Sequence, residues 1–152
     1  MSLDATDRRL LALLQENGKT SNANLGAEVG LSVSSVNERV RKLQELGYIR
    51  QFSALLDPQS LGLGLVAFVQ ILTDDVRQAK TVEAAIEQIP EVQECHFVTG
   101  EYSYLLKIVC KDTSRLQSII QDQIQTIKSV VRTNTVIALS SPKVTAAFPT
   151  EA

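Results

Sequence analysis

Apolar residues recur at helical spacing through the first third of the chain, and from Tyr48 onward runs of β-forming residues break that rhythm. Leu10, Leu13 and Leu14 are spaced three to four apart, as one buried helix face requires. Asp4 can cap that helix, Asp7 sits where the helix dipole favours an acid, and Asn17-Gly18 stops it. A second short helix is predicted after Ser21, burying Leu25 and Val29 and ending at Gly30. Gly26 costs helix propensity in its middle, a cost that either close helix approach offsets or the fold tolerates. A third helix follows the Ser32 cap and runs to about Leu46, with Gly47 as a left-handed stop. At 100° per residue, Val33, Val36, Val40 and Leu43 share one face, flanked by Leu46.

The β-rich stretch Tyr48 to Leu56 predicts a wing strand and connector, closed by Asp57-Pro58. Beyond it the pattern predicts a strand over 63–73, a helix over 76–89 and a strand over 92–99. A turn at Gly100 then leads to a strand over 103–111, a helix over 113–127 and a strand over 130–140. The fold class is therefore α+β, an N-terminal winged helix-turn-helix followed by a ferredoxin-like βαββαβ domain. We assign residues 1–50 to a DNA-binding domain, 51–62 to the wing strand and connector, and 63–152 to the second domain. Both faces of FVQIL and YLLKIVC are apolar, so the sheet face without helices is expected to lie against another copy of the chain.

Composition narrows the class. The chain has 152 residues, 44% of them hydrophobic and 21% charged, which is ordinary for a globular protein. The start, MSLDATDRRL, carries acids where a secretory signal needs a basic and apolar run. The longest uncharged stretch, Pro58 to Thr73, is 16 residues, short of the ~20 apolar residues that span a bilayer. We therefore expect a cytoplasmic protein with no membrane partner. Cys95 and Cys110 lack metal-ligand spacing, and both are expected as reduced, buried thiols, with His96 as a half-buried strand residue. No metal and no cofactor is implied. One histidine, no nucleophile elbow and no phosphate loop argue against an enzyme.

The net charge of −2 argues against a nucleic-acid binder until the chain is divided. Residues 1–56 hold seven basic and six acidic side chains, whereas the remainder holds eight and eleven. Binding depends on the local field. The two helices joined at Gly30 have the layout of a helix-turn-helix, whose second helix reads double-stranded DNA in the major groove. On its outer face, Ser34, Ser35, Asn37 and Glu38 occupy the first two turns, where side chains reach base edges. Serine can donate or accept, asparagine pairs with adenine, and glutamate accepts from cytosine. Arg41 can reach a base or a phosphate, and Lys42 and Arg50 suit phosphates. Arg39, at the border of the apolar face, suits either a phosphate or an intramolecular pair with a neighbouring acid.

Several motifs together resemble the Lrp/AsnC family of feast/famine regulators. Leu3-Asp4-x-x-Asp7-Arg8-x-Leu10-Leu11 resembles its opening, and Leu31-Ser32-x-Ser34-x-Val36-x-x-Arg39-Val40-x-x-Leu43 its recognition segment. Leu61-Gly62-Leu63 resembles its connector, the run from Val98 to Leu106 its hairpin, and Thr133-x-Thr135 its last strand. The match extends in order over nearly the whole chain. Two departures, Ser103 where an Asp is common and Ile124-Gln125-Thr126-Ile127 in place of a Leu-Pro-Gly-Val-like turn, look like asparagine-type members.

The resemblance implies an amino-acid effector bound by the second domain, and a homodimer that assembles further to an octamer. An amino acid needs donors for its carboxylate and acceptors for its ammonium. Backbone N–H groups from Gly100 to Ser103 suit the first role, within a candidate site that takes in Thr99, Gly100, Glu101, Tyr102 and Ser103. Glu101 and the hydroxyls of Ser103, Thr133 and Thr135 suit the second. The resemblance thus implies a sequence-specific regulator whose DNA binding or assembly answers to an amino acid. The alternative is an effector-independent architectural protein that binds DNA through phosphate contacts and bending.

Overall fold

The computed structural model describes residues 3–150 of the chain. Backbone contacts divide it into two compact units. One is the chain up to Leu55 together with the segment from Lys143 onward, and the other is Leu56–Pro142.

The first unit holds three helices, α1 (Ala5–Glu16), α2 (Asn22–Val29) and α3 (Val33–Glu45). Each begins where a side chain can satisfy the unpaired N–H groups of a first turn. Asp4 accepts from the Asp7 amide at 2.7 Å while Asp7 accepts from the Asp4 amide at 3.3 Å, a reciprocal capping box. Ser21 and Ser32 cap α2 and α3 in turn. Leu10, Leu25 and Val36, one from each helix, are fully buried together and make the centre of a small core. Gly30 ends α2 with φ of 70°. A side chain at Gly26 would place its Cβ 2.5 Å from the Leu31 carbonyl oxygen, so close approach of the turn is what requires that glycine.

Two expectations for this unit need correction. Val33 is 54% exposed, because it opens α3 a full turn ahead of Val36, where the helices meet. The Tyr48–Leu56 segment forms no strand. A strand needs a ladder partner, and among the described residues no segment pairs with it. From Lys143 the chain makes its backbone contacts with this unit. Gln15 on α1 binds Phe148 twice, its amide oxygen accepting from the Phe148 N–H at 2.7 Å and its amide nitrogen donating to the Phe148 carbonyl at 3.0 Å.

The second unit is a four-stranded antiparallel sheet of β1 (Leu65–Thr73), β2 (Val92–Phe97), β3 (Tyr104–Cys110) and β4 (Val130–Ile137), in the order β2-β3-β1-β4. Helices α4 (Ala79–Glu87), entered through a 3₁₀ turn over Val76–Gln78, and α5 (Thr113–Ser118) cover one face. This is the ferredoxin-like topology that the pattern predicts. Successive strand residues point to opposite faces. Ala67, Val69 and Ile71 of β1 and Tyr104, Leu106 and Ile108 of β3 therefore pack under Val82 and Ile86 of α4 and Ile119 and Ile124 beyond α5.

The helix expected over 113–127 changes character at Ile119, where α5 continues as a π-helical segment, Ile119–Ile124. The Gln125 N–H reaches back five residues to the Ile120 carbonyl at 2.8 Å. Widening the turn lets Ile119 and Ile124, five apart, both point into the core. Cys110 is buried as expected, but Cys95 and His96 are exposed. Both stand on the edge strand β2, where only Val92 is even half-buried.

Candidate nucleic-acid interface and effector hairpin

The N-terminus of α3 presents a cluster of hydroxyls. Ser32 accepts from the Ser35 amide at 3.2 Å, and its hydroxyl lies 3.0 Å from that of Ser34 and 2.8 Å from that of Ser35. Capping thus holds the two serines that the sequence nominates for base contact together at the N-terminus of α3. Asn37 and Glu38 follow on the exposed side. Asn22, at the start of α2 and not singled out from the sequence, lies 3.4 Å from Asn37. Arg41 pairs with Glu45 at 2.7 Å, both more than half exposed, so the pair is weak and exchangeable. Lys42 and Arg50 are exposed.

Arg39 is held differently. Its Nη1 donates to Asp4 and to Asp7, each at 2.7 Å, and the Asp7 side chain is only 9% exposed. The Asp7 backbone amide, and after it the Arg39 guanidinium, holds the Asp4 carboxyl below its ordinary 3.8. The two carboxylates in turn raise the Arg39 pKa further. Arg39 thus offsets the charge of both acids beside α3. A groove of about 390 Å³ opens at this spot, with Ser35, Glu38 and Lys42 among its lining residues.

In the second unit, the β2–β3 hairpin turns at Gly100, whose φ of 118° is open to glycine and strained for other residues. Ser103 is fully engaged at its base. Its N–H donates to the Ile71 carbonyl at 2.8 Å, and its hydroxyl accepts from the Thr73 N–H at 3.2 Å and lies 2.9 Å from the Thr73 hydroxyl. Glu101 forms an ion pair with Arg132 of β4, whose guanidinium also lies 5.1 Å from the centre of the Tyr102 ring. Thr99 is exposed beside them.

Thr133 and Thr135 stand opposite Ile71 and Val69, both buried under the helices, and so project toward the helical side. Thr133 accepts from Gln125 at 3.0 Å. Arg132 alternates to the other face, with Asn134, which donates to Gln70 at 2.8 Å. The candidate effector residues therefore fall into two groups, the hairpin with Arg132 and the two threonines with Gln125. The sequence reading omitted Arg132, Gln125 and Thr73. The strand alternation in V-R-T-N-T could have separated Arg132 from the threonines, but the Glu101 partnership depends on the fold.

Residues 66–148 match the model of the Lrp/AsnC ligand binding domain, and residues 3–50 match a winged helix-turn-helix DNA-binding model. The chain belongs to the Lrp/AsnC family. It is 35% identical over 145 residues to the proline dehydrogenase transcriptional activator of Rhizobium radiobacter, covering 94% of this chain and 93% of that protein. It is 36% identical over 145 residues to the leucine-responsive regulatory protein of Escherichia coli, covering 93% and 87%. Among solved structures it is similar to a Neisseria meningitidis transcriptional regulator in an L-Met complex, with TM-score 0.93, 33% identity and 97% of each chain covered. AsnC of E. coli gives TM-score 0.91 at 29% identity, covering 97% of this chain and 99% of that one. This Lrp/AsnC chain is thus a DNA-binding transcriptional regulator with a ligand-binding domain. Among its described residues no helix is long and apolar enough to cross a membrane.

Proposed function

We propose that this regulator binds its operator with an affinity or assembly state set by an amino acid. Ser34, Ser35, Asn37, Glu38 and Arg41 read bases, Lys42 and Arg50 hold phosphates, and Arg39 positions α3 against α1. The effector is received at the hairpin from Thr99 to Ser103, with Thr133 and Thr135 contributing from β4. The hairpin carries this reading. It combines a glycine turn, an acid and an aromatic ring in a domain that matches a ligand-binding model. Two similar structures, from Neisseria meningitidis and M. tuberculosis, hold L-methionine.

The sheet face away from the helices supports assembly. Phe68 and Val136 pair across β1 and β4 there, 38% and 55% exposed, and a second copy would bury them. We read the unit of function as a cytoplasmic homodimer that builds to an octamer. We read the second domain as nearer the asparagine-type members, a reading that Ser103 and the Ile124–Ile127 segment support.

The test is thermal stability across the twenty amino acids, followed by operator binding with the strongest stabiliser. A ligand at a hundredfold excess over Kd adds about 2.7 kcal/mol, a rise of roughly 5–10 °C for a chain of this size. A specific rise together with a change in operator affinity is the expected result. A flat panel with undiminished DNA binding would transfer the reading to an architectural protein.

A further inference from the structure

We propose that the Gln70–Asn134 amide pair sets the register, and selects the partner, where two copies of this chain meet sheet to sheet. This deepens the assembly reading above and rests on it. Gln70 and Asn134 stand opposite each other on β1 and β4, two residues along from the Phe68–Val136 pair. They share its face, the one away from the helices, because Val69 and Ile71 between them point into the core. Leu105 of β3 flanks Gln70 on its other side. Two amides therefore sit among Phe68, Val136 and Leu105, in the patch that a second copy would cover.

The pair is half satisfied in a particular way. The Asn134 Nδ2 donates to the Gln70 Oε1 at 2.8 Å. That leaves the Gln70 Nε2 as a donor and the Asn134 Oδ1 as an acceptor. Among the described residues neither atom has a further partner. Water satisfies both on an open face, but under a covering copy each would be a buried polar group without a bond. A second copy of the same chain supplies the remedy, because the leftover donor and the leftover acceptor are on different residues. A two-fold contact sets residue i against j and j against i. With Gln70 of one copy against Asn134 of the other, each Nε2 meets an Oδ1, and four amides close into a ring. Packed sheets lie ~10 Å apart, a gap that a glutamine and an asparagine reaching toward each other can bridge.

The ring closes in one register. Sliding or turning the partner sets the leftover groups against Phe68, Val136 or Leu105 and strands them. A chain with an apolar residue at either position fails in the same way. The apolar side chains thus supply an attraction that any similar face could share, and the amides reject the mismatched arrangements. A single polar position in an apolar seam fixes register and partner in coiled coils by the same physics.

Two measurements on the purified full chain decide the matter. Sedimentation over a dilution series gives the dissociation constant of the dimer, and mixing differently tagged chains gives the fraction of mixed dimers. The proteins are wild type, Asn134→Leu, the double variant Gln70→Leu/Asn134→Leu, and Val136→Lys. We expect Asn134→Leu to dissociate at least about tenfold more readily, because it strands the Gln70 amide under the partner. The double variant should return to within about threefold of wild type, since an apolar patch strands nothing. Equal amounts of wild type and double variant should form clearly fewer mixed dimers than the half that random pairing gives. An amide pair that merely ties β1 to β4 within one chain would pair at random, so a random fraction overturns the proposal. Wild-type affinity in Asn134→Leu overturns it as well. Val136→Lys tests the reading beneath, and we expect it to break the dimer. A dimer that survives Val136→Lys does not use this face, and the assembly reading then fails, a result distinct from the other two.

Discussion

The Arg39 guanidinium of α3 donates to the Asp7 carboxylate of α1 across 2.7 Å, and Asp7 is the buried charged residue among those described. Thirty-two residues of chain close on this contact, which fixes α3 against α1. Arg39→Ala leaves a nearly buried carboxylate without its cation, and such an acceptor costs about 1–3 kcal/mol. We expect denaturant unfolding of the variant to show a loss toward the lower end, since Arg39 itself is a third exposed. Operator affinity measured well below the melting range should fall less than in Arg41→Ala. The reverse order would place Arg39 on the DNA.

Asp4 gives the same contact a pH dependence. Its carboxyl is held below 3.8, first by the Asp7 amide and then by Arg39. A carboxyl with a depressed folded pKa contributes stability that is present above its unfolded value. That contribution is lost as pH falls through the folded value. Stability should therefore drop as pH falls below about 3.8, and Asp4→Asn should flatten the drop. Unfolding midpoints at pH 6 and pH 3 for both proteins measure the difference.

Gly26→Ala distinguishes packing from propensity. In an open helix the change would stabilise by roughly 1 kcal/mol. Here the new Cβ would lie 2.5 Å from the backbone oxygen of Leu31, which the turn between α2 and α3 cannot move cheaply. Overpacking of this kind costs about 1–3 kcal/mol, so we expect a net loss in chemical denaturation. An increase in stability would show that the turn relaxes freely.

Much of this architecture can be read from residue pattern alone, for a physical reason. Capping and stop signals act within four residues, so Asp4, Ser21, Ser32 and Gly30 mark helix ends at the positions observed. Alternation likewise predicts the βαββαβ order. What pattern misses depends on contacts distant in sequence. Cys95 looks like a core residue until β2 proves to be an edge strand. Tyr48 to Leu56 has strand composition, but composition cannot supply the neighbour a strand needs. Arg132 acquires its interest from Glu101, 31 residues away. The clasp of Gln15 on Phe148 spans 133 residues.

That clasp predicts a measurable protection. The Phe148 N–H donates to Gln15 at 2.7 Å although the Phe148 side chain is 79% exposed. Arg8 adds a bond to the Thr150 carbonyl at 2.8 Å. An amide held this way exchanges with solvent more slowly than one in a free segment. Hydrogen exchange should show protection at Phe148 that Gln15→Ala abolishes while helix amides in α3 keep theirs. Free-chain exchange at Phe148 in the wild type would rule the clasp out.

Tyr104 makes the strongest prediction at high pH. The ring lies at the end of β3, 1% exposed, with Phe97 edge-on at 5.2 Å and its hydroxyl donating to Glu83 at 3.3 Å. Burial, and after it the Glu83 charge, raises the phenol from 10.0 to about 12. Because the folded value lies above the unfolded one, the neutral phenol contributes stability that is complete below pH 10. That stability disappears as pH rises toward about 12. Phenolate absorbance should accordingly show a late step that Tyr104→Phe removes. Tyr104→Phe should also unfold less steeply across that range, because it has no proton to lose. At neutral pH the same variant loses the bond to Glu83 but keeps the ring, so its stability should fall by only about 0.5–1.5 kcal/mol. A larger loss would mean that the hydroxyl, rather than the ring, holds α4 to the sheet.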